Sequence, residues 1–120
     1  MRFSGRTILV VEDDSVVSTD LCLLLEDEGA TILGPCRSAR KSLAVLARRM
    51  PDAAILDIEL LDGDSFPVAT RLGAAGVPFL FYSARDCAAF QTAKATTAPI
   101  LSKVHSSRKA VDMLAEITLR

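Results

Sequence analysis

The stretch Ala53-Ala54-Ile55-Leu56-Asp57 runs from four apolar residues directly into a carboxylate. The apolar residues do not alternate with polar ones, which is typical of a strand buried on both faces of a parallel sheet. A carboxylate at the C-terminal end of such a strand lies where open α/β sheets bind their ligands. Asp57 is therefore a candidate site residue. The alternative is that it only ends the strand and caps the next segment.

The composition is that of one domain with an aliphatic core. The chain has 120 residues, of which 50% are hydrophobic and 5% aromatic, and its net charge is −1. No apolar stretch approaches the roughly 20 residues of a membrane span. No basic run interleaved with aromatic residues indicates nucleic-acid binding. We therefore expect a single cytoplasmic domain over residues 1–120, with no direct nucleic-acid or membrane partner.

Apolar runs alternate with amphipathic segments along the whole chain, and Ser, Asp, Gly and Pro stand at the boundaries between them. This alternation predicts an α/β fold with a flavodoxin-like (βα)5 doubly wound parallel sheet of strand order 2-1-3-4-5. The predicted strands are 7–11, 30–33, 53–56, 77–82 and 98–101. The predicted helices are 15–28, one from the Ser38 cap to Pro51, one from Asp64 or Ser65 to Gly76, 85–94, and one that starts at Ser106 or Ser107.

Polar side chains follow the predicted strands at their C-terminal ends. Glu12 and Asp13 follow the first strand, Asp57 the third, Ser83 the fourth, and Lys103 comes shortly after the fifth. Clustered carboxylates repel each other unless positive charge offsets them, and carboxylate oxygens with room for water suit Mg²⁺. A carboxylate can also accept a phosphoryl group, whose oxygens a hydroxyl and an ammonium can bind. Taken singly, each residue has an ordinary alternative as a cap, a turn residue or a solvated charge.

Together these residues resemble the receiver domain of bacterial two-component response regulators over essentially the whole chain. The stretch 56–84 looks like that of stand-alone single-domain receivers, and the alternative is a piece of a longer protein such as a hybrid kinase. The motifs that carry the resemblance are Ile8–Asp14 (ILVVEDD), Ile55–Ile58 (ILDI), Asp62-Gly63, Ser83-Ala84 and Lys103.

The resemblance implies a function in two-component signalling or a phosphorelay. Asp57 would accept the phosphoryl group from a histidine kinase or a histidine phosphotransferase, with Mg²⁺ as the cofactor. Such a receiver promotes its own phosphorylation and autodephosphorylation but is not otherwise an enzyme. A downstream partner would bind the face built by the fourth helix, fifth strand and fifth helix, the α4-β5-α5 face of that family. The implied metal-binding groups are Glu12, Asp13, Asp57 and the Glu59 backbone carbonyl, and the implied phosphoryl-binding and switch residues are Ser83, Ala84 and Lys103.

The chain departs from the family pattern after the lysine and in the fifth strand. Val104 stands where the family usually has proline, often after a cis bond. Because a cis bond before a non-proline residue costs roughly 2.5–4 kcal/mol, we predict a trans Lys103–Val104 bond and a rearranged loop over 104–107. Ile100 replaces the usual aromatic switch residue, and Tyr82 is not an obvious substitute for it.

These departures favour one alternative function, a degenerate receiver that acts as a phosphorylation-independent protein-interaction module. A small flavodoxin-like ligand binder or hydrolase is a further alternative, but no Gly-rich phosphate loop follows the first strand. Glu59 and Arg85 carry opposite charges beside the predicted site. We hypothesise that they meet across its mouth and slow the attack of water on the acyl phosphate, and the alternative is two independent solvated charges.

Overall fold

Strands and helices alternate in the computed structural model, which describes residues 1–84 and 98–119. The strands are β1 (Thr7–Val11), β2 (Thr31–Cys36), β3 (Ala53–Leu56), β4 (Glu59–Leu60), β5 (Gly63–Asp64), β6 (Phe79–Ser83) and β7 (Ile100–Ser102). The helices are α1 (Ser15–Asp27), α2 (Ala39–Arg48), α3 (Phe66–Ala74) and α4 (Ser107–Thr118).

Five of the strands form one parallel sheet in the order β2-β1-β3-β6-β7. Counted within this sheet alone, the order is 2-1-3-4-5, so the predicted flavodoxin-like fold is confirmed. The remaining two strands, β4 and β5, pair with each other as a short antiparallel hairpin directly after Asp57. No strand was predicted for residues 59–64.

The sheet separates two apolar clusters, and β1 supplies side chains to both. Ile8 and Val10 belong to the cluster that includes residues of α1 and α4. Leu9 and Val11 belong to the cluster that includes residues of α2 and α3. Because successive side chains of a strand point to opposite faces, a strand covered on both sides needs apolar residues at every position. This explains the unbroken apolar runs from which the fold was predicted.

The predicted starts of the four helices within the described residues are confirmed, whereas several element ends were wrong. Asp14, Ser38 and Ser106 accept backbone N–H bonds at the starts of α1, α2 and α4. The second strand does not close at Gly34-Pro35. Instead β2 runs through a cis Gly34–Pro35 bond to Cys36, which pairs with Val11 after a one-residue shift of register. An edge strand tolerates proline at such an irregularity.

Other bounds differ by smaller amounts. α2 ends at Arg48 and leaves Met50 outside the helix. β6 and β7 each end one residue later than predicted, at Ser83 and Ser102. The predicted helix 85–94 lies outside the described residues. No helix in the described ranges 1–84 and 98–119 is long and apolar enough to cross a membrane.

The segment before β1 is anchored to the helices rather than free. Phe3 has no exposed surface and belongs to the same apolar cluster as the inner residues of α1 and α4. Its backbone N–H donates to the Glu28 carbonyl at 2.8 Å. The neighbouring Arg2 guanidinium pairs with Glu28 and, at 2.7 Å, with Asp112 of α4. The N-terminal segment therefore joins the end of α1 to α4.

Candidate functional site

Three carboxylates meet at the C-terminal edge of the sheet. Glu12 and Asp13 directly follow β1, and Asp57 directly follows the neighbouring strand β3. One carboxylate oxygen of each residue lies within 4.8 Å of the others. Glu12 and Asp57 are only 1% and 6% exposed, whereas Asp13 is half-buried. The structure thus brings together the three acids that the sequence predicted to converge.

Backbone hydrogen bonds continue past the ends of the strands and fix two of these acids. The Asp57 N–H donates to the Val11 carbonyl at 2.8 Å, and the Glu12 N–H donates to the Cys36 carbonyl at 2.8 Å. The Glu12 Oε2 atom also accepts from the Asp14 N–H at 3.0 Å. The Glu12 carboxylate is therefore held on one oxygen by its own loop, which leaves Oε1 to face the site.

Lys103 bridges two of the acids. Its Nζ atom lies 2.8 Å from Glu12 Oε1 and 2.9 Å from Asp57 Oδ2. Burial acts to lower the pKa of Lys103, but the hydrogen bonds with Glu12 and Asp57 outweigh it, so its pKa lies above the ordinary value. Burial also raises the pKa of Glu12 to about 8, despite the opposing hydrogen bond from Lys103. One ammonium therefore offsets the cluster only in part.

The carboxylate oxygens of this cluster fit a hard divalent cation such as Mg²⁺. Mg²⁺ prefers oxygen ligands, keeps several waters and is usually held by one or two carboxylates. Glu12, Asp13 and Asp57 offer carboxylate oxygens within 4.8 Å of each other, and Asp13 is open enough for water to share the site. The residues present therefore match the cofactor predicted from the sequence.

The predicted phosphoryl-binding residues lie at the ends of β6 and β7, the two strands beyond β3 in the sheet. Ser83 ends β6 and is 1% exposed, and the exposed Ala84 follows it. The Ser83 carbonyl accepts from the Lys103 N–H at 2.9 Å. Their roles, like that of the Glu59 carbonyl, stay predictions. Glu59 itself is exposed and lies in β4, paired with Asp64.

The hypothesis of a gate between Glu59 and Arg85 is untested, because Arg85 lies outside the described residues. The predicted trans Lys103–Val104 bond is confirmed, since Gly34–Pro35 is the cis bond of the described chain. Val104 follows the lysine with 87% of its surface exposed.

Hydrogen bonds at the start of α2 support the loop that contains Asp13 and the loop that follows Asp57. The sequence did not predict these bonds. The Asp62 carboxylate accepts from the Ala39 N–H at 2.7 Å and from the Arg40 N–H at 3.0 Å. The Arg37 guanidinium donates to the Asp13 carbonyl at 3.2 Å. Free N–H groups at a helix start call for an acceptor, but the sequence does not indicate which distant residue supplies it. The loop after Asp57 is thus tied to the start of α2, and Arg37 just before that helix is tied to the loop that contains Asp13.

The Asp62 contact predicts an acid-sensitive contribution to stability. The N–H groups of Ala39 and Arg40 lower the pKa of Asp62 below its ordinary value. A carboxylate with a lowered folded-state pKa stabilises the fold above its ordinary pKa, and the contribution is lost as pH falls through the lowered value. We expect Asp62→Asn to reduce the melting temperature at pH about 7 and to flatten its decline as pH falls from about 5 to about 2, around and below the ordinary aspartate pKa of about 3.9.

Thermal melts at a series of pH values measure this effect. Asp20→Asn, at an exposed position of α1, is the matched control and should leave the pH profile unchanged. An Asp62→Asn variant that melts in parallel with the wild type at every pH would contradict the contact.

The chain is similar to solved receiver structures over nearly its whole length. A putative response regulator from Chloroflexus aurantiacus J-10-fl shares 25% identity with a TM-score of 0.81, and the match covers 96% of this chain and 98% of that one. The signal receiver domain of a modulated diguanylate cyclase from Desulfovibrio desulfuricans G20 shares 26% identity with a TM-score of 0.76, over 95% of this chain and 96% of that one.

Comparison with curated proteins gives a shorter match. A putative transcriptional regulator from Pseudomonas aeruginosa is 35% identical over 65 residues, which are 54% of this chain and 31% of that protein. The match therefore spans about a third of that relative's length. No protein-family model matches the chain.

The solved structures that the chain resembles are receiver domains of response regulators, and the chain has their fold. The resemblance predicted from the sequence motifs is thus confirmed. The proteins of this class that match the chain are signalling and regulatory proteins, and one of the matched receivers belongs to a diguanylate cyclase.

Proposed function

We propose that this chain, over residues 1–120, is a phosphoacceptor receiver that takes a phosphoryl group on Asp57 in the presence of Mg²⁺. The observation that carries the proposal is the position of the Asp57 carboxylate. It is buried beside Glu12 and Asp13, and Lys103 Nζ lies 2.9 Å from its Oδ2 atom. An acceptor carboxylate, two further acids and one ammonium are the groups that phosphoryl transfer to aspartate needs.

The reaction forms one bond and breaks one. A carboxylate oxygen of Asp57 attacks the phosphorus of a phosphohistidine or a small acyl phosphate. The O–P bond to Asp57 forms while the bond from phosphorus to the donor nitrogen or oxygen breaks, and the donor leaves with the electron pair. Water later attacks the phosphorus of the aspartyl phosphate, which restores the carboxylate and releases inorganic phosphate. No other substrate is turned over.

The residues around Asp57 would have two roles, metal binding by the acidic residues and binding of the phosphoryl oxygens by the hydrogen-bond donors. Glu12, Asp13, Asp57 and the Glu59 carbonyl would hold Mg²⁺, which neutralises charge on the transferring group when it is bound. The new group adds about two negative charges and three acceptor oxygens. Lys103, Ser83 and Ala84 are placed at the ends of the two strands beyond β3, where an ammonium, a hydroxyl and a backbone N–H would bind those oxygens.

The donor in the cell would be a histidine kinase or a histidine phosphotransferase. Phosphorylation would change the face that contains β7 and α4, where a downstream protein partner would bind or from which the phosphoryl group would be relayed. β7 is the strand that leads into Lys103, so a movement of the lysine would reach this face directly.

Acetyl phosphate and beryllofluoride test the proposal without a cognate kinase. The intact protein should gain the mass of one phosphoryl group from acetyl phosphate with Mg²⁺, and should gain none when EDTA removes the metal. Beryllofluoride with Mg²⁺ should perturb the NMR signals of Asp57 and its neighbours. A protein that responds to neither reagent at millimolar Mg²⁺ would contradict the proposal.

Replacing Glu12 tests the metal site separately. Glu12→Gln keeps the shape of a side chain that is 1% exposed, but the amide cannot ionise to place a negative charge beside a bound cation. We expect Mg²⁺ affinity to fall about 10- to 100-fold, because supporting carboxylates at metal sites typically contribute that much. An NMR titration with Mg²⁺ measures it. The control is Glu26→Gln at an exposed position of α1, and equal affinities for the two variants would argue against a metal at this cluster.

The second candidate function is that of a degenerate receiver which binds its partner without phosphate. The exposed Val104 and the aliphatic Ile100 favour it, because neither has the side chain that the resemblance implies for switching. The two functions differ in one measurable respect. A phosphorylation-independent module would accept no phosphoryl group from acetyl phosphate even though its acid cluster binds Mg²⁺.

A further inference from the structure

A buried tyrosine connects the strand of Ser83 to the turn of Lys103. Tyr82 lies in β6 directly before Ser83 and is 3% exposed. Its hydroxyl donates to the His105 carbonyl at 2.5 Å, across 23 residues of sequence. His105 is two residues beyond Lys103. The phenol therefore spans from the end of one strand of the site to the turn that carries the ammonium.

Backbone and hydroxyl contacts complete this turn, which we call the lysine turn (residues 102–106). The Lys103 N–H donates to the Ser83 carbonyl at 2.9 Å, and the His105 N–H donates to the Ser102 carbonyl at 3.0 Å. The Val104 N–H donates to the Ser102 hydroxyl at 3.2 Å. A proline at position 104 has no N–H and could not make this last bond. The contact thus depends on Val104, the residue at which this chain departs from the pattern that the resemblance implies.

Hydrogen bonds rather than packing hold the lysine turn. Val104 is 87% exposed, and His105 and Ser106 are exposed as well. A lysine side chain is long and has about 2 kcal/mol of rotamer entropy to lose when it is fixed. Its ammonium meets Glu12 and Asp57 at 2.8 and 2.9 Å only if the backbone of the turn is held in place.

We propose that Tyr82 and Ser102 are positioning residues for phosphoryl transfer, whose hydroxyls hold the lysine turn so that the Lys103 ammonium reaches Asp57. This inference rests on the proposed function of Asp57 as the phosphoacceptor and adds two residues that the sequence did not assign to it. Neither hydroxyl is bonded to an acid of the cluster, so both act through Lys103. Their loss should slow transfer without weakening the metal site.

Tyr82→Phe tests the first hydroxyl, because it removes one oxygen atom and leaves the ring. With acetyl phosphate as the donor, we expect the maximal rate of phosphorylation to fall about 3- to 10-fold, the effect of one lost hydrogen bond in the transition state. The Mg²⁺ concentration for half-saturation should not rise, because the substitution removes no oxygen of Glu12, Asp13 or Asp57. Ser42→Ala is the matched control. It removes a buried hydroxyl that donates to the Ser38 carbonyl at 2.8 Å in α2, and its rate should equal that of the wild type.

Substitutions of Ser102 provide a second and independent test of the positioning role, at a residue of the lysine turn. Ser102→Ala should lower the maximal rate as Tyr82→Phe does, whereas Ser102→Thr keeps the hydroxyl and should keep the rate. In a Val104→Pro background the N–H is gone, so Ser102→Ala should have no further effect. Tyr82 is the only tyrosine of a chain without tryptophan, so its fluorescence should also differ between Ser102→Ala and the wild type.

The outcomes separate this inference from the function on which it rests. If the wild type takes up no phosphoryl group, the proposed function itself fails. If the wild type is phosphorylated and both Tyr82→Phe and Ser102→Ala match its maximal rate, the positioning role is overturned. The role is also overturned if Ser42→Ala slows phosphorylation as much as Tyr82→Phe, because the effect then follows from stability alone.

Discussion

Asp57→Asn is expected to lose all phosphoryl uptake from acetyl phosphate with Mg²⁺. The amide has the volume of the carboxylate, but it carries no negative charge and is not a nucleophile towards phosphorus. Intact-protein mass spectrometry measures the outcome, and the mass of the treated variant should equal that of the untreated one. Asp20→Asn, on the exposed side of α1, should be phosphorylated like the wild type.

The loss should not result from unfolding. In Asp57→Asn the Lys103 ammonium keeps its contact with Glu12, which lies 2.8 Å from Nζ. The substitution also removes one of three carboxylates that lie within 4.8 Å of each other, which relieves their mutual repulsion. We therefore expect a melting temperature no lower than that of the wild type. Continued mass gain by Asp57→Asn would show that another residue, such as Asp13, accepts the group.

The convergence of the acids could be predicted from sequence because it depends on topology alone. Once apolar runs predict a doubly wound parallel sheet, their C-terminal ends must share one edge, and strands 1 and 3 must be neighbours. Glu12, Asp13 and Asp57 follow those two strands, so their meeting required no knowledge of side-chain packing. The same argument placed Lys103 at this edge, where its ammonium lies within 2.9 Å of two of the acids.

Two of the contacts that support the site could not be predicted, because each joins residues far apart in sequence through a side chain. Asp62 accepts from Ala39 across 23 residues, and the Tyr82 hydroxyl reaches His105 across another 23. Local periodicity indicates which face of a strand or helix is buried, but not which polar atom it meets. The β4–β5 hairpin was missed for a related reason, since two-residue strands are too short to show a period.

The residue with the largest expected effect on stability was also missed. Phe3 precedes the first periodic run, so no pattern indicated that it is buried, yet it has no exposed surface. We expect Phe3→Ala to lower the free energy of unfolding by about 3–5 kcal/mol, the usual cost of removing a buried phenylalanine. Domains of this size have roughly 5–15 kcal/mol in total, so the loss is a large share. Urea unfolding followed by circular dichroism measures it.

Val16→Ala is the control, because Val16 is 76% exposed in α1 and its truncation should change stability by less than about 0.5 kcal/mol. A loss below about 1 kcal/mol for Phe3→Ala would show that the N-terminal segment does not pack on the helices in solution.

The phosphorylation rate of the folded Phe3→Ala variant separates an effect on stability from an effect on the site. Phe3 lies before β1 and the acids lie after it, about 17 Å away along a strand of five residues. Phe3→Ala should therefore unfold more readily. While folded, it should still take up phosphoryl groups at the wild-type rate, because Phe3 packs at the end of the sheet opposite the end that holds the site.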